Sequence, residues 1–187
     1  MKSVNNKIKS IKMFKKIILI TTFFLSTNAF FAQSVFDKFD DVDGITKVSV
    51  TKKMFTLLSK IDDKSKDSQE YTNLIKKLDN LKVYSTKSDK KGDEMQATAT
   101  KYIKTAGLEE LMSVNDNGKN IKIYVKSGAS ESIVKELLMF IDGGNSGRED
   151  SVLMSLTGNF NLDEISALTE KMNLPGGDAL KKASKKK

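Results

Sequence analysis

The sequence predicts an α+β domain in which helices pack on one face of a mixed, mostly antiparallel sheet of about five strands. Two patterns support this fold class. Short runs of β-branched or apolar residues alternate with longer segments whose apolar residues recur every three or four positions, as in strands and amphipathic helices. In addition, Asn117-Gly118 separates two strand-like segments and is a turn typical of an antiparallel hairpin.

Five segments have the composition of strands. Ile45–Thr51 is rich in β-branched residues, and the middle of Ser151–Leu156 is continuously apolar, as in a buried central strand. The other three segments are Leu81–Thr86, Leu108–Val114 and Asn120–Lys126. Apolar and polar residues alternate along the last of these, which predicts that one of its sides faces solvent.

Five other segments carry the apolar spacing of one helix face. The clearest stripe is Ile133, Val134, Leu137, Leu138 and Ile141, and it predicts a helix between two strands. Capping residues and helix stops flank three of the remaining stripes. The four remaining stripes are Met54, Leu57, Leu58 and Ile61, for which no cap is predicted; Tyr71, Leu74, Ile75 and Leu78, between Asp67 with Glu70 and Asn80; Met95, Ala99, Tyr102, Ile103 and Ala106, closed by Gly107; and Leu162, Ile165, Leu168 and Met172, between Asn161 with Glu164 and Pro175-Gly176-Gly177.

The predicted order of elements from Leu81 to Leu156 is strand, helix, strand, strand, helix, strand, which is the order of a ferredoxin-like core. One further strand and two helices precede this core, and one helix follows it. We therefore expect a single domain over residues 33–177 and a disordered, lysine-rich tail over residues 178–187.

Residues 1–32 have the three parts of a secretory signal peptide. Six lysines and no acidic residue lie in Met1–Lys16, an apolar stretch follows at Ile17–Leu25, and small residues come next. The apolar stretch is well short of the roughly 20 residues that a membrane span needs. The pattern predicts export to the periplasm or the outside of the cell.

Two details of this leader stay open. Cleavage after Ala29 puts Thr27 and Ala29 at the small-residue positions. Cleavage after Ala32 puts the bulky Phe30 three residues back but leaves the familiar Ala-Gln junction before Gln33, and we prefer it. Met13 is an alternative start to Met1. The chain has no cysteine. It therefore lacks the residue to which a bacterial lipoprotein attaches its lipid, and no disulfides stabilise the exported domain.

Charge argues against nucleic acid as a partner. The chain has 32 basic and 24 acidic residues, a net charge of +8, but six of the basic residues belong to the leader and five to the tail. Without the leader and Lys181–Lys187, the body has 21 basic and 24 acidic residues, a net charge of −3. A domain that binds nucleic acid is expected to carry a basic patch. The lysines of Lys181–Lys187 are a candidate contact with anionic surfaces, and a solvated, solubilising end is the alternative.

The composition excludes several kinds of catalysis. The chain has no histidine and no cysteine, so Ser-His-Asp and Cys-His nucleophiles and the usual zinc sites are excluded. Three acidic segments suggest calcium, but a calcium loop needs Gly at its sixth position and Glu at its twelfth. Aligning their glycines to the sixth position puts Val50, Tyr124 or Leu153 at the twelfth, so ordinary turns are expected. The three segments are Asp40–Gly44, Ser113–Gly118 and Asp142–Asp150.

Two weaker motifs also fail. Gly143–Arg148 resembles a phosphate-binding loop in its glycines but follows a predicted helix and precedes a strand, the reverse of the phosphate loop. The Ser-x-x-Lys spacing of penicillin-recognising acyltransferases occurs at Ser132-Ile133-Val134-Lys135, and their strand motif is imitated by Lys126-Ser127-Gly128. These two motifs come in the wrong order along the chain. We therefore predict no catalytic, cofactor-binding or metal-binding residue. Tyr84, Tyr124 and Phe160 are candidates for a binding surface, with core or edge packing as the alternative.

Two segments resemble an uncharacterised exported family of Bacteroidetes-type bacteria, the domain of unknown function 4252. They are Val48–Phe55, a strand running into a helix, and Leu156–Ile165, a strand, a glycine turn and a capped helix. The resemblance covers nearly the whole exported part and implies an envelope protein, with a link to envelope stress or sigma factors. The family has no established activity, so no site residue carries over. The lysine-rich tail departs from the family.

These observations favour an exported, non-enzymatic domain that binds another envelope component. Two alternatives remain: a hydrolase that uses carboxylates or a Ser-Lys pair, and an envelope-stress regulator that contacts a sigma or anti-sigma system. Paired carboxylates with different pKa values in a cleft would favour the hydrolase.

Overall fold

The structure is a computed structural model that describes residues 35–60, 66–116, 119–130, 132–143 and 150–184. The chain divides into two units, Met1–Asp37 and Lys38–Lys187, and the fold below is that of the second. The predicted leader, residues 1–32, lies outside the described residues, and its export function stays a prediction. Within the described ranges, no helix has the length and apolar character of a membrane span.

The α+β class is confirmed, but the sheet has six strands, every neighbouring pair is antiparallel, and the order is not ferredoxin-like. Along the sheet the strands follow the order β1-β2-β6-β5-β4-β3. Their bounds are β1 Thr46–Thr51, β2 Leu78–Thr86, β3 Glu109–Asp116, β4 Lys119–Ser127, β5 Ile133–Asp142 and β6 Ser151–Asn161.

Strand β5 is the main correction, because the sequence pattern predicted a helix there. The strand lies between β4 and β6 and is buried on both sides of the sheet. Leu137 and Met139 point to one side, and Leu138 and Phe140 point to the other. A strand buried on both faces is apolar at almost every position, so it also fills the positions of a helical stripe. Replacing this helix with a strand removes the ferredoxin-like order.

In the described part of the chain five helices flank the sheet, and they lie on both of its faces rather than on one. Helix α3 alone packs on one face, against β2, β5 and β6. The other four pack on the opposite face, where their apolar side chains join the main core. The helices are α1 Lys52–Leu58, α2 Lys66–Ile75, α3 Asp89–Ala106, α4 Ile165–Met172 and α5 Gly177–Ser184, with short 3-10 turns at Asp37–Phe39 and Leu162–Glu164.

Two predicted helices differ from the structure in detail. Helix α1 buries Phe55, whereas Met54 and Leu57 of the predicted stripe are about half exposed. The helix starts directly after β1, so the path of that strand fixes which side of α1 meets the core. Leu78 and Asn80, predicted to end the second helix, belong to β2 instead, because the chain turns into the sheet after Ile75.

Local capping signals were confirmed at two helix boundaries. Gly107 ends α3 with a φ of +68°, a left-handed conformation that glycine adopts without strain. Asn161 accepts a hydrogen bond from the Asp163 N–H at 3.0 Å, while Glu164 accepts one from the Asn161 N–H at 3.2 Å. These reciprocal bonds form the predicted capping box and lead into α4.

The predicted disordered tail is a helix over most of its length. Helix α5 spans Gly177–Ser184 and buries Ala179, Leu180 and Ala183 in the main core. These three residues fall on one helical face, which packs against α4, while Lys182 stays exposed. The lysine content concealed this narrow apolar face. Residues 185–187 lie outside the described part of the chain.

Candidate interaction surface

The most exposed part of the sheet is its first strand. Strand β1 has β2 as its one neighbour in the sheet formed by the described residues, so its other side is an edge. Five of its six residues are exposed, and Val50 alone is buried. An exposed edge carries backbone N–H and C=O groups that can pair with another strand. The edge is therefore a potential docking site for an extended segment.

Three large apolar side chains lie on this edge strand and on the helix that follows it. Val48 on β1 is 52% exposed, and Met54 and Leu57 on α1 are 49% and 51% exposed. Val48 shares a side of the strand with Val50, which belongs to the main core, so it lies on the face of the sheet against which α1 packs. We call Val48, Met54 and Leu57 the β1–α1 surface.

Lys47, the one charged residue of β1, is paired within the chain, as is Lys52 just after the strand. The Lys47 Nζ lies 2.7 Å from Oδ2 of Asp40, and the Tyr84 hydroxyl donates a 2.8 Å hydrogen bond to Oδ1 of the same carboxylate. Partial burial opposes ionisation of Asp40, but the hydrogen bonds from Lys47 and Tyr84 outweigh it and lower the pKa of that carboxyl. Lys52, the first residue of α1, pairs with Asp79 at 2.5 Å.

A second polar feature is buried under α3. The Tyr102 hydroxyl donates a 2.8 Å hydrogen bond to Oε2 of Glu136, a residue of β5 that is 4% exposed. Oε1 of Glu136 has no hydrogen-bond partner among the described residues. Burial raises the pKa of Glu136, and the bond from Tyr102 and the charge of Lys126 only partly offset this effect. Burial and the neighbouring Glu136 raise the pKa of Tyr102.

Both members of this pair are buried, and their bond joins α3 to β5. Catalysis by two carboxylates needs a second carboxylate near the first and access for a substrate. The described residues contain no group of three or more Asp, Glu, His or Cys side chains that could hold a metal ion. The sequence contained a signal for Glu136, a single acidic residue inside the apolar run Ile133–Ile141, which sequence reasoning passed over.

The three candidate aromatic residues do not form a joint surface. Tyr84 and Phe160 are fully buried. Tyr84 packs edge-on against Phe39, with ring centroids 5.9 Å apart, and Phe160 belongs to the main core on the other face of the sheet. Tyr124 is half-buried. Burial, and to a smaller extent the charge of its neighbour Glu110, raise the pKa of Tyr124. Packing explains the two buried residues.

The acidic loop Asp40–Gly44 is organised by the chain itself. Asp41 and Gly44 adopt left-handed backbone conformations, with φ of +59° and +72°. The Lys91 ammonium donates to the backbone carbonyl of Asp43, and the Thr86 hydroxyl donates to that of Gly44 at 2.7 Å. An ammonium group thus occupies the loop where a calcium ion was considered. The two other acidic segments and Gly143–Arg148 extend beyond the described residues.

The Ser-x-x-Lys motif also has a structural explanation. Ser132 lies in the turn before β5 and Lys135 in the strand itself, both exposed. A helix would bring residues three apart to the same side, but a strand does not. Ser127 ends β4 across the same turn, where the Gly128 N–H donates to the carbonyl of Ile133 at 2.6 Å. Both fragments of the motif therefore belong to a hairpin connection.

Comparison with known proteins adds one match. A family model described as a domain of unknown function (DUF4252) matches residues 39–168, which include the whole sheet and α1 to α3. No curated protein and no solved structure matches the chain.

Proposed function

The chain belongs to the DUF4252 family of domains of unknown function, and from this premise we propose that it is an exported envelope protein that acts by binding another protein through the β1–α1 surface. The observation that carries the proposal is the combination of an open strand edge with three half-exposed apolar side chains beside it. Export is supported by the leader-like pattern of residues 1–32.

Strand addition is a common way for domains to recognise partners. Backbone hydrogen bonds along the edge supply affinity, and side chains on alternate positions of the added strand supply specificity. In a strand added at this edge, the positions that lie beside Val48, Met54 and Leu57 favour apolar side chains. The proposed activity is therefore recognition, and it needs no reactive side chain.

A pull-down from the native envelope tests the proposal. The full chain is compared with Val48→Lys, which places a charge in the β1–α1 surface, and with Ser113→Lys, which places the same charge on the exposed opposite edge strand β3. We expect the full chain and Ser113→Lys to retain a partner that Val48→Lys loses. Equal retention of every partner by all three proteins would contradict the assignment of binding to this surface.

A further inference from the structure

We propose that the β1–α1 surface binds a second copy of this chain, with β1 pairing antiparallel to the β1 of the other copy around a two-fold axis. This inference rests on the proposed function, because it takes the same surface as the place where binding occurs. Three features carry it: the alternation of side chains along β1, the charges at its two ends, and the ion pair that holds Lys47.

The alternation of side chains selects the register. When a two-fold axis relates two antiparallel strands, the residue at the axis lies opposite the same residue of the other copy. Residues directly opposite each other have their side chains on the same face of the sheet. With the axis at Ser49, Val48 lies opposite Val50 of the other copy, and this pair occurs twice. Lys47 then lies opposite Thr51. An axis at Val48 would form a single valine pair, so the Ser49 register matches more apolar side chains.

Charges at the two ends of β1 complement each other in this arrangement. The loop before the strand exposes Asp41 and Asp43, and the helix after it exposes Lys53. None of the ion pairs among the described residues involves these three side chains. Antiparallel pairing brings the end of one β1 close to the beginning of the other. Each Lys53 therefore approaches the acidic loop of the other copy, and the contact is repeated by symmetry.

Lys47 does not block the edge, although a lysine on an edge strand usually discourages pairing. Its ammonium group is neutralised by Asp40 of the same chain at 2.7 Å, so two copies can approach without bringing two unpaired charges together. The opposite edge differs. Strand β3 begins with Glu109 and Glu110 and ends with Asp116, so antiparallel pairing of two β3 strands would bring acidic residues of the two copies together.

Cysteine cross-linking tests the register directly, because the natural chain has no cysteine to react. Directly opposite residues of an antiparallel pair have Cα atoms about 4.5–5.5 Å apart, within the roughly 4.4–6.8 Å range that a disulfide spans. We expect Ser49→Cys in the full chain to form a covalent dimer under mild oxidation. The matched control is Ser113→Cys, an exposed serine on β3, which should stay monomeric. The proposal would be overturned if Ser49→Cys formed no covalent dimer, or if it formed no more covalent dimer than Ser113→Cys.

The molar mass of the full chain in solution provides a second measurement. Light scattering across a concentration series should show a monomer–dimer equilibrium, and Val48→Lys should shift it at least tenfold toward monomer without changing the circular dichroism spectrum. A natural chain that is monomeric at every concentration would overturn the inference. If the natural chain is monomeric but the envelope pull-down still depends on Val48, the proposed function stands and only the pairing with a second copy is rejected. If there is neither a dimer nor a partner that depends on Val48, the β1–α1 surface is rejected as a binding site.

Discussion

The Tyr102 hydroxyl and the Glu136 carboxylate, 2.8 Å apart, join helix α3 to the centre of the sheet. Tyr102 lies one turn before the end of α3, and Glu136 lies on β5, with Lys126 of β4 and Thr157 of β6 as its cross-strand neighbours. Both residues are buried, with Tyr102 5% and Glu136 4% exposed. It therefore fixes the position of α3 along the sheet more specifically than apolar contacts alone.

Removing the hydroxyl from Tyr102 should destabilise the domain. Tyr102→Phe leaves the buried Oε2 of Glu136 without its donor, and a buried group that loses its partner costs about 1–3 kcal/mol. Urea unfolding measures this loss. Tyr124→Phe is the matched control, since Tyr124 is half-buried and faces Glu110, and we expect a much smaller change there. Equal effects of the two substitutions would contradict a special role for the buried bond.

The raised pKa of Glu136 should make the stability of the domain depend on pH. Because the folded state holds the proton of Glu136 more tightly than the unfolded state, its contribution to the free energy of unfolding falls as pH rises. The decrease starts near the unfolded pKa of about 4.3 and ends above the raised folded pKa. We expect the stability of Glu136→Gln relative to the natural chain to increase with pH across this window. A constant difference in parallel urea titrations would contradict the raised pKa.

The orientation of helix α1 can be tested with two neighbouring residues. Phe55 is 1% exposed, so Phe55→Ala should lower the free energy of unfolding by about 3–5 kcal/mol. Met54 is about half exposed, and Met54→Ala should change it by about 0.5 kcal/mol or less. Thermal and urea unfolding of the two variants decide between this orientation and the stripe predicted from sequence, which would require Met54→Ala to be the costlier change.

Helix α5 should contribute to stability in spite of its lysines. Leu180 is fully buried in the main core, and Leu180→Ala should cost about 2–5 kcal/mol. Lys182 lies on the exposed side of the same helix, so Lys182→Ala should be nearly neutral. Resistance to limited proteolysis at residues 178–184 gives an independent measurement. Rapid cleavage at residues 178–184, together with an unchanged free energy of unfolding in Leu180→Ala, would support the disordered tail predicted from the sequence.

Gly158 should not tolerate a side chain. A Cβ at this position would lie 2.4 Å from the backbone oxygen of Lys77 and 2.9 Å from the Cα of Leu78, and backbone atoms cannot move aside cheaply. Gly158→Ala should therefore destabilise the domain by about 1–3 kcal/mol. At Gly177 a Cβ would meet only Thr169, at an ordinary 3.6 Å, so Gly177→Ala is the matched control. Calorimetric melting temperatures compare the two, and an unchanged value for Gly158→Ala would contradict the close approach.

Local signals were sufficient for much of the fold. The strands predicted at Ile45–Thr51 and Ser151–Leu156, the Gly107 helix stop and the Asn161 cap all depend on residues adjacent in sequence. The structure contains them, with the second strand extended to Asn161. Strand β5 could not be recognised in this way. Burial on both faces removes the alternation that identifies a strand, and that burial depends on neighbours far away in the chain.

The candidate surface was beyond sequence reasoning for a related reason. Whether a strand lies at an edge depends on the order of all six strands, which no local pattern of β1 encodes. The exposure of Met54 and Leu57 depends in turn on how α1 leaves that strand. In contrast, the exclusion of histidine and cysteine chemistry followed from composition alone.

The strand order has a consequence for how the chain folds. Strands β3 to β6 pair with their neighbours in sequence, and β1 pairs with β2 across two short helices, so both groups can form from nearby residues. Only the β2–β6 pair joins segments about seventy residues apart, and such contacts form slowly because long loops must close first. If formation of this pair limits the folding rate, we expect substitutions at the β2–β6 seam to slow refolding, which stopped-flow kinetics can measure.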